Sequence, residues 1–253
     1  MSAARRPLIA GNWKMHKTVA EARTLVRDLR AEALPRNVDI VIAPPFTALQ
    51  TVGAELHSSH IALGAQNMNE AAQGAFTGEI SPLMLYELGV RFVILGHSER
   101  RAHFCETDET VNRKVKAALA HGITPIVAVG ETKEEHQAGR THAKVAHQTR
   151  AAFDGVVAPD VARCIVAYEP IWAIGTGLND RPENADKVIG EIRAAVEGLA
   201  HARILYGGSM KGENAVELLA QPNIDGGLVG GASLAARSFC EILDAASAAA
   251  QAQ

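Results

Sequence analysis

Three side chains suited to acid–base chemistry stand at the ends of apolar runs in the sequence. Lys14 follows LIAGNW, His97 ends RFVILGH, and Glu169 ends CIVAYE. A carboxylate can take a proton from carbon, an imidazole can donate a hydrogen bond to a carbonyl oxygen, and an ammonium group supplies positive charge. The set predicts proton abstraction next to a carbonyl, since no nucleophile–base pair, carboxylate pair or cluster of metal ligands favours another reaction.

Each of these residues also has an ordinary structural interpretation. A lysine near a strand end is more often a solvated surface residue, and a histidine is more often structural or exposed than catalytic. Of the ten histidines in the chain, we single out His97 because it directly ends an apolar strand. Glu99 and Glu131 could equally be partners in structural ion pairs.

Two glycine pairs, in YGGS and VGGAS, follow the last two apolar runs. A glycine pair in such a turn is most often ordinary turn chemistry. At these two places, however, α/β barrels often bind phosphate with backbone N–H groups and a helix N-terminus. The pattern therefore predicts a small phosphorylated ligand held at these two glycine pairs, with Ser209 adding a hydroxyl donor.

These residues need a scaffold that gathers the ends of distant strands. Eight short apolar runs without polar alternation are separated by amphipathic stretches, as expected for parallel strands buried on both faces. Eight such units with no second composition favour a single (β/α)8 TIM barrel over residues 1–253. One miscounted strand would restore the alternative, an open doubly wound sheet. The predicted strands are residues 8–13, 38–43, 61–66, 91–97, 125–131, 164–169, 203–208 and 226–231.

Amphipathic patterns and capping residues predict the helices between the strands. The clearest patterns cover residues 18–34, 183–200 and 233–250. The residues expected to cap the N-termini of helices are Ser98, Asp108 and Ser233.

The overall composition excludes several classes of partner. The chain has 253 residues, of which 21% are charged, and its formal net charge is -3, so it lacks the basic excess that nucleic-acid binding requires. The three cysteines are widely spaced, which fits neither a disulfide framework nor a zinc site. No apolar run approaches the ~20 residues of a membrane span. We expect a cytoplasmic protein that needs no metal or cofactor and has no nucleic-acid or membrane partner.

Eight motifs together resemble the triosephosphate isomerase family. They are GNWKM, APPF, GAQN, GAFTGEIS, GHSERR, AYEPIWAIGTG, YGGS and LVGGASL, and the resemblance runs from residue 8 to about residue 243 in the family's order. It implies a (β/α)8 barrel enzyme of glycolysis and gluconeogenesis. The reaction implied is the interconversion of dihydroxyacetone phosphate and D-glyceraldehyde 3-phosphate through an enediolate.

The resemblance also implies a role for each residue at the strand ends. Glu169 would move the proton between the two carbons, His97 would stabilise the enediolate, and Lys14 would supply positive charge. Asn12 would help to position the substrate, and Glu99 would be a carboxylate behind the site. In this family a helix N-terminus lowers the pKa of the histidine and keeps it neutral. The backbone groups implied to hold the phosphate belong to Gly175, Gly208 or Ser209, Gly230 and Gly231.

The segment that follows the glutamate is implied to be a lid over the bound phosphate, as in the loop closure of this family. It comprises Pro170, Ile171, Trp172, Ala173, Ile174, Gly175, Thr176 and Gly177. Leu178 stands where many relatives have a lysine, and residues 179–181 also differ, so the far hinge of the lid departs from the family's pattern. Ala128 replaces a cysteine of the fifth strand. Neither departure concerns a residue with an implied catalytic role.

The segment 67–78 is long and not helical in composition, and loops of this length tend to be functional. A solvated loop is the alternative interpretation. The resemblance implies a homodimer in which this loop enters the neighbouring subunit and Thr77 reaches toward the other active site.

Two other functions remain open at this point. Another phosphate-binding barrel enzyme, acting on a different sugar or indole phosphate, would share the glycine pairs but need not combine NWK, GHSE and YEP. A non-catalytic phosphoester-binding or interaction protein with the same fold would be expected to have lost Glu169, His97 or Lys14. All three residues are present.

Overall fold

Eight parallel strands form a closed barrel in the computed structural model, which describes residues 5–174 and 180–252. Neighbouring strands pair in chain order, and the last strand pairs with the first. This confirms the (β/α)8 barrel and excludes the open sheet. The strands are β1 Leu8–Asn12, β2 Asp39–Ala43, β3 Ile61–Ala65, β4 Phe92–Leu95, β5 Thr124–Val129, β6 Ile165–Tyr168, β7 Arg203–Tyr206 and β8 Gly226–Val229.

Most strands end one or two residues earlier than their apolar runs predict. His97 and Glu169 therefore lie just beyond β4 and β6, at the start of the following loops. Strand β4 ends before His97 because Gly96 has a φ of 71°, which breaks the extended backbone. The side chains suited to acid–base chemistry thus lie at the rim of the barrel, where the chain leaves the sheet.

Helices connect successive strands and surround the barrel. Among the described helices, none combines the length and apolarity that crossing a bilayer requires. Short 3₁₀ turns cover Phe46–Ala48, Ile171–Ala173 and Gly231–Leu234. The helices are α1 Val19–Ala31, α2 Leu49–Glu55, α3 Pro82–Glu87, α4 Ser98–Phe104, α5 Asp108–Ala120, α6 Lys133–Gln137, α7 Thr141–Ala152, α8 Ala158–Val161, α9 Pro182–Ala195, α10 Gly212–Leu219 and α11 Ala236–Ala252.

The predicted capping residues were not the caps. Ser98 and Asp108 are the first helical residues, and the caps are the residues before them, His97 and Thr107, whose side chains accept backbone N–H groups. Ser233 was wrong as a cap because it lies in a 3₁₀ turn, where its hydroxyl donates to the Gly230 carbonyl. The helix that follows it, α11, begins only at Ala236.

Two apolar layers explain the uninterrupted hydrophobic runs of the strands. Side chains that point inward fill the barrel itself, and they come from alternate residues of the strands. The opposite face of each strand packs against the surrounding helices; Ile9 and Ile40, for example, share a cluster with Leu25 of α1. The inner cluster consists of Leu8, Ala10, Val41, Ala43, Ile94, Ile126, Ile165, Ala167, Leu205 and Leu228.

The closure of the barrel depends on a glycine. Gly226 pairs with Leu8 and has a φ of 146°, and a Cβ placed on it would lie 1.9 Å from the Leu8 carbonyl oxygen. Only glycine allows this approach of β8 to β1. Closure brings the carboxyl ends of all eight parallel strands to one rim.

Candidate active site

The rim at the carboxyl ends of the strands surrounds a cavity of about 560 Å³. Lys14, His97 and Glu169 all line this cavity, although they come from three distant segments of the chain. The remaining predicted residues of the site that line the same cavity are Asn12, Gly208, Ser209, Gly230 and Gly231. Glu99 lies behind them, in contact with two of the lining side chains.

Glu169 and His97 form the buried centre of the site. Nε2 of His97 lies 2.9 Å from Oε1 of Glu169, and the two residues are 5% and 2% exposed. The other carboxylate oxygen accepts the Ser98 backbone N–H at 2.9 Å. Gly207 makes room for this arrangement, since a Cβ on it would lie 2.8 Å from Cγ of Glu169.

The surroundings of Glu169 keep it ionised. Burial by itself opposes the charged form, but His97 and the N–H of Ser98 outweigh burial and hold the pKa of Glu169 below its ordinary value of 4.5. The residue is therefore a carboxylate at neutral pH, which is the form that can accept a proton.

The proton on the His97 ring has a defined position. Nδ1 accepts the backbone N–H of Glu99 at 3.2 Å, so Nε2 carries the ring proton and donates toward Glu169. Burial opposes protonation of the ring, but the ionised Glu169 beside it outweighs burial and raises the pKa of His97 above its ordinary value of 6.5. The direction differs from the lowered pKa that the resemblance implied, because a carboxylate lies against the ring.

Lys14 has a left-handed backbone that directs its side chain into the cavity. Its φ is 51°, a conformation that costs a residue other than glycine about 1–3 kcal/mol. The Asn12 side chain accepts the Lys14 N–H at 3.0 Å, and Gln66 Nε2 donates to the Lys14 carbonyl at 2.8 Å. Asn12 therefore fixes the lysine as well as lining the cavity. The role of Gln66 was missed from the sequence, where GAQN gave no indication of a contact with Lys14.

Glu99 joins the cation to the imidazole. Its Oε1 lies 2.5 Å from Nζ of Lys14, and its Oε2 lies 3.7 Å from Nδ1 of His97. Of the two carboxylates that could have been structural ion-pair partners, Glu99 thus contacts two residues of the site. Glu131 does not line the cavity and contacts Trp172 of the segment 170–177.

Glu131 holds the first residues of the segment that we expected to be a lid. Its Oε1 accepts hydrogen bonds from Trp172 Nε1 at 2.8 Å and from the Tyr168 hydroxyl at 3.2 Å. The His136 ring also stacks on Trp172, with ring centroids 4.4 Å apart. Gly175, Thr176, Gly177 and Leu178 lie outside the described residues.

The glycine pairs after β7 and β8 also line the cavity. A Cβ on Gly231 would meet no atom within 4 Å, and one on Gly230 would lie 3.5 Å from Cε of Lys14. The Ser209 hydroxyl donates to the Ala173 carbonyl at 2.9 Å, which ties the lid to the end of β7. Backbone turns beside a lysine suit an anion such as phosphate.

The arrangement can therefore bind a small anion and transfer a proton beside it. An ionised carboxylate, an imidazole N–H and an ammonium group face one cavity from three directions. Charge that develops on a carbonyl oxygen there would meet two fixed donors.

The chain is similar to known proteins over nearly its whole length. Residues 7–246 match the family described as triosephosphate isomerase. The protein named triosephosphate isomerase from Chloroflexus aurantiacus is 54% identical, with 94% of this chain and 98% of that protein covered. The protein of the same name from Symbiobacterium thermophilum is 52% identical, with 96% of this chain and 97% of that protein covered. The one from Thermoanaerobacter pseudethanolicus is 48% identical, with 95% of this chain and 99% of that protein covered.

Proposed function

Since this chain belongs to the triosephosphate isomerase family and is an isomerase that interconverts dihydroxyacetone phosphate and D-glyceraldehyde 3-phosphate in glycolysis, we propose that Glu169, His97 and Lys14 carry out the reaction. The observation that supports these roles is the meeting of the three side chains at one cavity, with Glu169 and His97 2.9 Å apart. The alternatives considered from the sequence, another barrel enzyme or a non-catalytic binding protein, do not account for similarity to one family over residues 7–246.

The proton transfer uses Glu169 as the base. The carboxylate exchanges one of its present contacts for the C–H group beside the substrate carbonyl and takes the proton. The C–H electrons form the carbon–carbon double bond, and the carbonyl π electrons move to the oxygen, which gives the enediolate. The same carboxyl group returns the proton to the neighbouring carbon while the hydroxyl proton passes from one oxygen to the other, so no net proton is consumed. The low pKa of Glu169 ensures that the base is ionised before the substrate arrives.

The negative charge of the enediolate is stabilised by His97 and Lys14. The Nε2–H of His97 donates to the oxygen atoms between which the electrons move, and the lysine supplies a fixed positive charge. Asn12 and Glu99 hold these groups in place through the Lys14 backbone and ammonium. Preorganised donors of this kind are worth about 10²–10³ in rate when one is removed.

The phosphate of the substrate is bound by the backbone at the ends of β7 and β8. The groups that we assign to it are those of Gly208, Ser209, Gly230 and Gly231, with Gly175 of the lid. Closure of the lid, residues 170–177, then excludes water and protects the enediolate. The contact between Ser209 and Ala173 supports such a connection between the phosphate site and the lid.

The protein acts as a homodimer in this proposal. The loop 67–78 of one subunit enters its partner, with Thr77 directed at the partner's active site. Large exposed apolar side chains follow β1, β2 and β3 on one side of the barrel, and a surface of this kind favours association. They are Met15, Phe46, Phe76, Leu83, Met84 and Tyr86.

Residues 1–253 form one barrel domain in the cytoplasm, which agrees with the pathway assigned to the family. The barrel strands extend from Leu8 to Val229, and helix α11 continues to Ala252.

Solvent deuterium exchange tests the assignment of the base. We expect the wild-type protein to isomerise dihydroxyacetone phosphate and to exchange deuterium into it. Glu169→Asp withdraws the carboxylate by one methylene, and a displacement of about 1 Å costs about 10² in rate. Glu217→Asp, an exposed position on α10, is the matched control and should retain both activities.

Two outcomes would contradict the proposal. Exchange by the wild type at the uncatalysed rate would remove the enzymatic function itself. Full activity in a correctly folded Glu169→Asp variant would leave the function intact but assign the base to another residue.

A further inference from the structure

We propose that Glu106 and Arg101 are positioning residues that hold the Gly96 peptide groups from both sides and thereby direct the His97 imidazole into the active site. The inference rests on the proposed role of His97 in the isomerase reaction. Neither residue lines the catalytic cavity, so their effect must pass through the backbone between β4 and α4.

Gly96 is the turn that aims His97. It follows the last residue of β4 and has a φ of 71°. A Cβ on this residue would lie 3.0 Å from Val111 Cγ2 and 3.2 Å from the Ala128 carbonyl oxygen, so the turn is also tightly enclosed. A small rotation of this peptide would move the next side chain, His97, relative to Glu169.

Both polar groups of Gly96 are held by charged side chains. The Glu106 carboxylate accepts the Gly96 N–H at 3.0 Å through Oε2. Arg101 Nε donates to the Gly96 carbonyl at 2.7 Å, and its NH1 contacts Asp108 at 2.5 Å. Two opposed hydrogen bonds to one residue restrict its rotation more than either alone.

Glu106 and the side chain with which it forms an ion pair are both buried. Its carboxylate forms an ion pair with Lys114, and Lys114 Nζ donates to Asn67 Oδ1 at 2.9 Å. Glu106 is 7% exposed and Lys114 is 4% exposed. A buried ion pair is often no more stabilising than well-packed apolar side chains, because both charges must be removed from water. A positional role explains why a carboxylate stands here.

The expected signature of this role is a change in turnover rather than in substrate binding. The phosphate groups assigned above lie at the ends of β7 and β8, and β8 is opposite β4 in the closed order of eight strands. Loosening Gly96 therefore leaves phosphate binding intact, whereas displacing His97 by about 1 Å costs about 10² in rate.

Two double variants separate the effect of the hydrogen bond between Glu106 and the Gly96 N–H from the effect of the buried ion pair. Both E106Q/K114M and E106L/K114M remove the buried ion pair, and their side chains are similar in volume. Only the glutamine retains an oxygen that can accept the Gly96 N–H. We expect kcat to be about 10²-fold lower in E106L/K114M than in E106Q/K114M, with KM changed by less than about threefold.

A spectroscopic readout checks the mechanism without turnover. The ¹⁵N resonances of the His97 ring should match the wild type in E106Q/K114M and shift in E106L/K114M. Equal kcat and equal His97 resonances in the two double variants would overturn the proposal. If the wild type itself lacks isomerase activity, the proposed function fails, and the resonances still decide whether Glu106 positions His97.

A variant on the other side of Gly96 covers the case in which E106L/K114M does not fold. Arg101→Lys keeps the charge but removes the Nε donor that contacts the Gly96 carbonyl. We expect a lower kcat with little change in KM, together with a shifted His97 resonance. A wild-type kcat in Arg101→Lys would contradict a positioning role for the hydrogen bond from Arg101 to the Gly96 carbonyl.

Discussion

At the scale of single residues, several side chains of the site have two tasks. His97 caps α4 through Nδ1 and faces Glu169 through Nε2, so the start of a helix fixes the tautomer of the imidazole. Asn12 lines the cavity and also holds the left-handed backbone of Lys14. Substitutions at these positions therefore change geometry as well as chemistry.

Lys14→Met tests the contribution of the fixed positive charge. The variant keeps a long unbranched side chain at the same backbone position but removes the cation beside the developing oxyanion. We expect kcat/KM to fall by about 10²–10³-fold, as for the loss of one preorganised donor. The measurement is steady-state isomerase activity together with circular dichroism to confirm folding.

Lys17→Met is the matched control for this experiment. Lys17 belongs to the same loop and also has a positive φ, of 75°, but it does not line the catalytic cavity. The control should keep its activity. An equal loss in both variants would show that the loop conformation, not the Lys14 charge, is responsible.

At the scale of elements, the loops after β5 and β6 meet at the start of the proposed lid. Glu131, just after β5, accepts hydrogen bonds from Tyr168 of β6 and from Trp172 in the 3₁₀ turn that begins the lid. Within the described structure its Oε2 has no hydrogen-bond partner, although the residue is fully buried. A buried carboxylate oxygen without a partner carries a cost in stability.

Comparison with Glu131→Gln should reveal this cost as a pH dependence of the stability of the wild type. Burial raises the pKa of Glu131 above its ordinary value of 4.5, so between 4.5 and the raised pKa the folded state binds more protons than the unfolded chain. The contribution of Glu131 to stability is fully present below 4.5 and is lost as pH rises through the raised pKa. Glutamine cannot ionise, and its oxygen can still accept the Trp172 N–H.

Calorimetry of both proteins over the same pH series measures the effect. The free energy of unfolding of Glu131→Gln, relative to wild type, should increase with pH across that interval and then become constant. Glu217→Gln, on the exposed face of α10, controls for the general loss of one negative charge. A difference between Glu131→Gln and wild type that does not change with pH would contradict a raised pKa at Glu131.

At the scale of the whole molecule, the apolar residues after β1, β2 and β3 lie where we place the interface of the proposed homodimer. Met84 is 53% exposed on α3, directly after the loop 67–78. Met84→Glu places a charge that would lose water on association, so we expect the proposed dimer to dissociate. Sedimentation velocity at several protein concentrations measures the shift toward monomer.

Val216→Glu provides the control for that surface. Val216 is 58% exposed on α10, which follows β7, and β7 lies opposite β3 in the closed barrel. This variant should keep the oligomeric state of the wild type. A wild type that sediments as a monomer, or dissociation caused equally by both variants, would contradict an interface at the loop 67–78.

The sequence by itself determined the barrel and the positions where chemistry could occur. Strands buried on both faces must be apolar throughout, so eight such runs were countable without any coordinates. The residues at the strand ends were also visible, because a lysine, a histidine and a glutamate interrupt apolar runs at a turn. Both signals are local, since they depend on burial and on turn formation along a few consecutive residues.

Only the tertiary structure decided which of these side chains contact each other. Glu99 contacts Lys14 across 85 positions of the chain, and Gln66 contacts the same lysine across 52. Glu106 and Lys114 gave no signal in the sequence, because a charged residue in a helical or loop pattern is usually solvated. Closure of the barrel buries them together, and pairing between distant charges depends on that geometry rather than on the pattern of neighbouring residues.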